Sequence, residues 1–295
     1  MSGGGSGGIV VVGDVGLDVV ARHEGPIPHG GDIRAKVHFT SGGAGANTAL
    51  WLRAEEAETT LIARIGDDSG GRMVKSELEA AGVRCEFAVD PEDPTFCVVV
   101  LVDGAGERSM LADRGANAKF APEDITEQAL SGASHLHLSG YVLLYPSSRP
   151  AALASLAAAK KAGLTTSVDP QAATLMTDPA AFLDDVRGVD LLMPNTSELV
   201  ALTGSSDPEA AKELLDYVGE VVVTAGLDGA SWVDASGTIT SVPAQPADCV
   251  DSTGAGDAFD AGVLAAWLRG ESTVEVLRAG TRLGARAVAK VGPQP

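Results

Sequence analysis

The sequence predicts an α/β protein with a doubly wound, mostly parallel sheet and a small β-sheet lid. Short β-branched runs alternate with longer helical stretches that stop at glycine. Aromatic residues make up 4% of the chain against 45% hydrophobic, so the core must be Val, Leu, Ile and Ala, as in sheets buried on both faces. Two further stretches carry strand character with no helix to cover them.

Met1 to Gly8 is Gly/Ser-rich and reads as a flexible tail, which leaves 9–295 as the folded domain. Ile9 to Val12 is a buried first strand ending at Gly13. Val19 to Thr40, with Pro26, Pro28 and paired glycines, breaks the rhythm, although Ala35 to Phe39 alternates. Asn47 to Ala57 is helical, Thr60 to Ile65 is a strand closed by Gly66-Asp67-Asp68, and Gly71 to Ala81 is a helix stopped by Gly82. Thr95 to Leu111 reads as a hairpin: Phe96 to Val102, a turn at Asp103-Gly-Ala-Gly106, then a return. The two helix-free pieces, about 19–40 and 95–115, are expected to form one lid over an edge of the body. Its exposed face would favour a homodimer or cover a substrate. Beyond it come strands at Leu136–Leu138, Thr165–Val168, Asp190–Met193 and Val221–Thr224, with an Ala-rich helix at Pro150–Ala162 stopped by Gly163.

Charge narrows the function. The chain has 21 basic and 40 acidic residues, a net −19. That argues against nucleic acid and against an anionic membrane surface. A phosphate-bearing ligand remains open but needs local devices such as a metal ion, a helix N-terminus or a few arginines. No apolar stretch reaches the ~18 residues needed to cross a membrane. Cys85, Cys97 and Cys249 show no CxxC spacing and read as reduced thiols in a cytoplasm. His23, His29, His38, His135 and His137 share no metal spacing with them and read as core or surface histidines. Glu55-Glu56 reads as a solvated helix face.

The most informative stretch is Cys249-Val-Asp-Ser-Thr-Gly-Ala-Gly-Asp-Ala-Phe259, a polar turn leading into the apolar helix Ala258–Leu268. Gly254 and Gly256 let the backbone N–H groups of Gly254, Ala255 and Gly256 converge, and the helix adds roughly half a positive charge at its N-terminus. The result is an anion hole with Asp257 at its edge, where a carboxylate can take the proton of an attacking hydroxyl. The plainer reading is a helix start with Asp257 as a dipole partner.

Asp251-Ser-Thr-Gly-Ala-Gly-Asp257 resembles the C-terminal signature of the ribokinase-like (PfkB-type) carbohydrate kinases, D-T/S-T-G-A-G-D. Gly42-Gly-Ala-Gly-Ala-Asn47, followed by Ala63-Arg-Ile-Gly-Asp-Asp68 and Gly70, is similar to that family's GGxxxN…G-x-D-x-x-G stretch. Val12-Gly13-Asp14…Asp18 resembles its first strand and substrate aspartate. Asn195-Thr-Ser-Glu198 resembles its NxxE motif, and Val223-Thr-Ala-Gly-Leu-Asp-Gly229 its T-x-G-x-x-G nucleotide stretch. The elements occur in family order and span residues 10–292.

The resemblance implies an ATP-dependent carbohydrate kinase acting on a ribose-, fructose- or keto-deoxy-sugar-like substrate, with ATP and Mg2+ and with K+ as a candidate. Asp257 would be the general base, kept partly wet or hydrogen-bonded so that it can ionise. Asp18, with Gly42, Gly43 and Asn47, would bind the sugar; Asp18 could otherwise be a turn aspartate and Asn47 a helix N-cap. Ala44 stands where the family often has a polar residue, which bears against ribose itself. Arg108 and Arg114 could clamp an acidic sugar or be solvated lid charges. Asn195 would order phosphates and Glu198 the waters of Mg2+, unless the pair is only a cap. Thr224, Gly226 and Gly229 would touch the nucleotide, Ala285–Gly292 would form the adenine side, and Asp251 would join a monovalent-cation site. Two rivals are a nucleoside kinase of the same family, which the few aromatics of the lid half disfavour, and a nucleotide-binding regulator without catalysis.

Overall fold

The computed structural model describes residues 7–105 and 107–295, with only the backbone of Arg108. Residues 1–6 of the predicted tail, Gly106 of the hairpin turn and the Arg108 side chain lie outside the described residues.

β1 (Gly8–Val12) turns Val10 and Val12 into one core and Ile9 and Val11 into the other, which is why a pure β-branched run stands there. The chain then leaves the body for β2 (Gly16–His23) and β3 (Ala35–Gly42), an antiparallel pair. It returns through α1 (Ala44–Ala54), β4 (Thr59–Gly66), α2 (Ser69–Ala80) and β5 (Arg84–Asp90). β6 (Cys97–Val102) runs parallel to β2, and β7 (Arg108–Asp113) folds back on it. The body resumes with β8 (Ala133–Ser139), α3 (Gly140–Leu144), α4 (Arg149–Lys161) and β9 (Thr165–Asp169). α5 (Pro179–Asp185), β10 (Leu191–Leu192), α6 (Thr196–Thr203) and β11 (Glu220–Thr224) follow. β12 (Ala230–Val233) and β13 (Ile239–Val242) precede α7 (Ala255–Leu268) and α8 (Thr273–Val288).

Among the described residues the body sheet has nine strands in the order β13-β12-β11-β10-β9-β8-β1-β4-β5, with β12 alone running against the others. The lid has four, in the order β3-β2-β6-β7. Strand alternation gives the lid two apolar faces. Val20, Val98 and Val100 face a cleft together with Asp18 and Thr40. Val19, Val37, Phe39 and Leu111 face outward, with Phe39 57% and Leu111 59% exposed.

Several elements differ from expectation. Asp18 belongs to the lid strand β2, not to the end of the first strand, because β1 stops at Val12. α1 begins at Ala44 because Gly43, at φ 95, serves as its N-cap, so Asn47 lies inside the first turn instead of capping it. α8 was not anticipated. It opens on Ser272, whose side chain accepts from the Glu275 N–H, and it buries Val276, Leu277, Ala279 and Leu283. α7 is buried over 257–266 and packs between α1 and α8. His135 and His137 are core residues. The His135 ring nitrogens lie 2.9 Å from Thr165 Oγ1 and 2.8 Å from Ser167 Oγ. Burial pushes the two histidines down to about 3 and about 4, so both are neutral.

Candidate active site

The turn before α7 is the anchor. Gly254 is its N-cap with φ 72, a left-handed conformation that suits glycine. A Cβ there would also stand 2.5 Å from Pro293 Cβ, so the tail of the chain closes over the turn. Ala255 N–H reaches Ser252 O at 3.3 Å, so that amide is already shared. In front of Gly256 there is open space, and the whole 254–257 turn lines the cleft.

Asp257 is 7% exposed. Its Oδ2 accepts from Asn47 Nδ2 at 2.9 Å, and its Oδ1 lies 3.4 Å from the Gln171 Nε2 donor. Burial pushes it up to about 6, against the pull of these two donors. It is therefore hydrogen-bonded, poorly hydrated, and poised to exchange a proton near neutral pH.

Asp18 faces the cleft from β2, with its carboxyl against Gly42. A Cβ on Gly42 would lie 2.4 Å from Asp18 Cγ. Gly42 thus stands behind Asp18 and does not itself line the cleft, whereas Gly43 and Asn47 do. Burial pushes Asp18 up to about 6 as well. Asp14, in the turn after β1, is likewise pushed up to about 6 by burial, offset in part by the charge of Arg114. Arg114 follows β7 and lines the cleft. Its guanidinium sits 3.6 Å over the Tyr145 ring and reaches Ser147 and Ser148 Oγ at 3.3 Å.

On the opposite wall, Asn195 caps α6. Its Oδ1 accepts from Glu198 N–H at 3.0 Å, while its N–H and Nδ2 donate to the Glu198 carboxylate at 2.8 and 2.7 Å. The capping arrangement is real, yet both residues line the cleft. Burial pushes Glu198 up to about 7 although both Asn195 donors pull it down. Asn195 bridges to Thr224, which also lines the cleft; Gly226 and Gly229 stand behind it, shaping the turn with φ 54 and 96. Asp251 holds the tail: its carboxylate accepts from Thr253 N–H at 2.9 Å and Gly292 N–H at 3.1 Å.

Asp14 of the first-strand motif and Lys290 of the 285–292 stretch line the cleft too, as do Tyr141, Tyr145, Asp169, Gln171 and Asp260, which were not singled out from the sequence. Asp14 and Asp169 follow or end parallel strands at their C-terminal ends, a position that marks ligand sites in such sheets. Burial, and the charge of neighbouring carboxylates, hold Asp169 and Asp260 both well above the ordinary carboxylate range. Asp260 Oδ2 has no partner among the described residues.

The cleft is about 950 Å³, and the lid, α1, α6 and α7 all contribute to it. Among the described residues no cluster of His, Cys, Asp or Glu is tight enough to cage a metal. Mg2+ needs no cage, since it keeps waters and phosphate oxygens as ligands. Glu198 fits that chemistry: each carboxylate oxygen takes an N–H from Asn195 and retains further lone pairs for bound water.

Residues 7–295 match the pfkB family carbohydrate kinase family. An ATP-dependent ribose-1-phosphate kinase of Halopiger xanaduensis is 31% identical over 96% of this chain and 93% of its own length. A fructokinase of Klebsiella pneumoniae is 30% identical over 88% of this chain and 84% of its own. The structure of Arabidopsis thaliana ribokinase complexed with ribose and ATP is 27% identical, with a TM-score of 0.82 over 97% of this chain and 94% of that one.

Proposed function

The chain belongs to the pfkB family of carbohydrate kinases, and we propose that it moves the γ-phosphoryl group of ATP onto a hydroxyl of an anionic sugar, such as a sugar phosphate. What carries the reading is one cleft walled by Asp257 and the Gly254–Gly256 turn on one side and by Asp18 on the other.

Asp18 accepts hydrogen bonds from sugar hydroxyls. The acceptor hydroxyl reaches Asp257, which takes its proton as the oxygen attacks. The turn amides and the α7 dipole hold the phosphoryl oxygens. Thr224 and Asn195 stand at the phosphate end, and Lys290 adds a positive charge to the same cleft. Glu198 would hold Mg2+ through water, and the ion would supply positive charge against the phosphates. A monovalent cation at Asp251 would rely mainly on backbone carbonyls, because the carboxylate is engaged by Thr253 and Gly292.

Arg114 supports an anionic acceptor, and the name of the Halopiger relative points the same way. The nucleoside alternative has one observation in its favour: Phe96, Tyr141 and Tyr145 line the cleft. The face of Tyr145 is covered by Arg114, which removes one platform for stacking a base. A binding-only regulator would have no use for two amide donors aimed at Asp257.

The outward lid face, with Val37, Phe39 and Leu111 exposed, suits a second copy of the chain and a homodimer. ATP as donor would place the enzyme in the cytoplasm. No helix among the described residues is long and apolar enough to cross a membrane.

The test is ADP release from Mg·ATP over a panel of neutral sugars, sugar phosphates, keto-deoxy acids and nucleosides. Anionic sugars should be preferred by about tenfold or more. Turnover of nucleosides alone would replace the reading, and no turnover on any acceptor would end it.

A further inference from the structure

Gln171 lies just beyond β9 with φ 70. Among the described residues only Glu56 shares a positive φ without being glycine, and Glu56 merely closes the end of α1. A left-handed backbone is uphill for a residue with a Cβ and persists only where the surroundings hold it. Here the holder is Asp169. Gln171 N–H donates to Asp169 Oδ1 at 2.9 Å, and its Nε2 donates to Asp169 Oδ2 at 2.6 Å. One carboxylate thus grips the residue at both ends and turns the N–H edge of its amide toward Asp257, 3.4 Å away.

We infer that Gln171 is the positioning residue that selects Oδ1 of Asp257 as the oxygen that receives the acceptor's proton. The two oxygens are not equivalent. Oδ2 is engaged by Asn47 at 2.9 Å, while among the described residues Oδ1 has only the long Gln171 contact and stays open to an incoming hydroxyl. In the step, the acceptor O–H bond breaks and its proton goes to Oδ1. An O–P bond forms to the γ-phosphorus, the bond from that phosphorus to the β,γ-bridging oxygen breaks, and ADP leaves. Until the proton arrives, the Gln171 N–H keeps charge on Oδ1. The titratable groups around Asp257 are Asp169, Asp260 and Tyr141, whose ionisation the Asp257 charge opposes; burial opposes the ionisation of Asp257 itself, and this amide and that of Asn47 are what favour it.

The inference rests on the phosphotransferase reading, so its test includes a readout that needs no turnover. Gln171→Met keeps the length and the strained backbone but removes the donor. Gln171→Gly removes the side chain and relaxes the backbone. The Asp257 carboxyl is titrated by carbon-13 NMR, and kcat and KM are measured across about pH 5 to 9. Both variants should raise the Asp257 pKa by about half a unit and lower kcat about tenfold with KM for ATP unchanged. Gln171→Gly should melt no lower than the parent. A Gln171→Met protein with the parental Asp257 titration overturns the inference, and so does a loss confined to Gln171→Gly, which would mark a backbone role. Absence of phosphotransfer in the parent would sink the kinase reading and with it the transfer to Oδ1, whereas the titration reports separately whether Gln171 holds charge on Asp257.

Discussion

Asn47 and Asp257 stand 210 positions apart in the chain, and the amide of one donates to the carboxylate of the other at 2.9 Å. The bond joins the first turn of α1 to the first turn of α7, so both helix starts open into the same cleft. It also orients a carboxylate that burial would otherwise leave protonated.

Asp257→Asn should lower kcat by about three orders of magnitude while ATP still binds. It should also stabilise the fold. With the native pKa raised from 3.8 to about 6, stability is full below the unfolded value and is lost as pH rises through the native one. At pH 8 the ionised, buried group therefore costs on the order of 3 kcal/mol, and at pH 3 nothing. Thermal melts of both proteins at the two pH values check this; equal midpoints at pH 8 would contradict it.

The acid limb of kcat/KM should fall below about pH 6. Asp257 must be ionised to take a proton, and Asp18 to accept hydroxyl hydrogen bonds fully; both are pushed up to about 6. Because more than one group titrates there, the limb should be steeper than a single ionisation. A profile flat down to pH 5 would remove both carboxylates from the reaction.

Gly42→Ala places a methyl 2.4 Å from Asp18 Cγ. The aspartate must move, so KM for the acceptor should rise about tenfold or more while KM for ATP holds. An unchanged acceptor KM would show that Asp18 does not touch the sugar.

Glu198→Gln can keep the cap with Asn195, since an amide oxygen still accepts the Asn195 N–H. It should raise the Mg2+ concentration for half-maximal activity by about tenfold. If the metal response is unaltered, Glu198 is a capping residue only.

Phe39→Glu sets a charge in the outward lid face, where Phe39 is 57% exposed. Light scattering should show a dimer for the parent and a monomer for the variant. A monomeric parent at micromolar concentration would remove the proposed role of that face.

The parts that could be read from the chain were local ones. The β-branched run of β1, the alternating lid strands and the glycine turn before α7 each carry their signal within about ten residues. The lid was expected from Val19, which left Asp18 outside it, because nothing in Gly13-Asp-Val-Gly16 shows that the next strand begins at Gly16. α8 was legible too, with a Ser272–Glu275 cap and arginines at 278, 282 and 286 set opposite the apolar stripe of Val276, Leu283 and Ala287. Gln171 and Asp260 could not be read at all. Their roles come from neighbours brought in by β9 and α7, and a lone Gln or Asp has no local pattern.

The indole of Trp51 finds its acceptor on the carbonyl of Pro293, 242 positions later. While the polypeptide is being synthesised, that fully buried ring must therefore wait for the 242 residues that separate it from its acceptor. Contacts of such long range slow folding and leave apolar surface open to aggregation. Until α7 and the 290s segment dock, the Gly254–Gly256 turn and Asp257 are not in place, so on the proposed mechanism a chain not yet extended through them would not consume ATP. Trp51 emission would then time the moment when catalytic competence is reached.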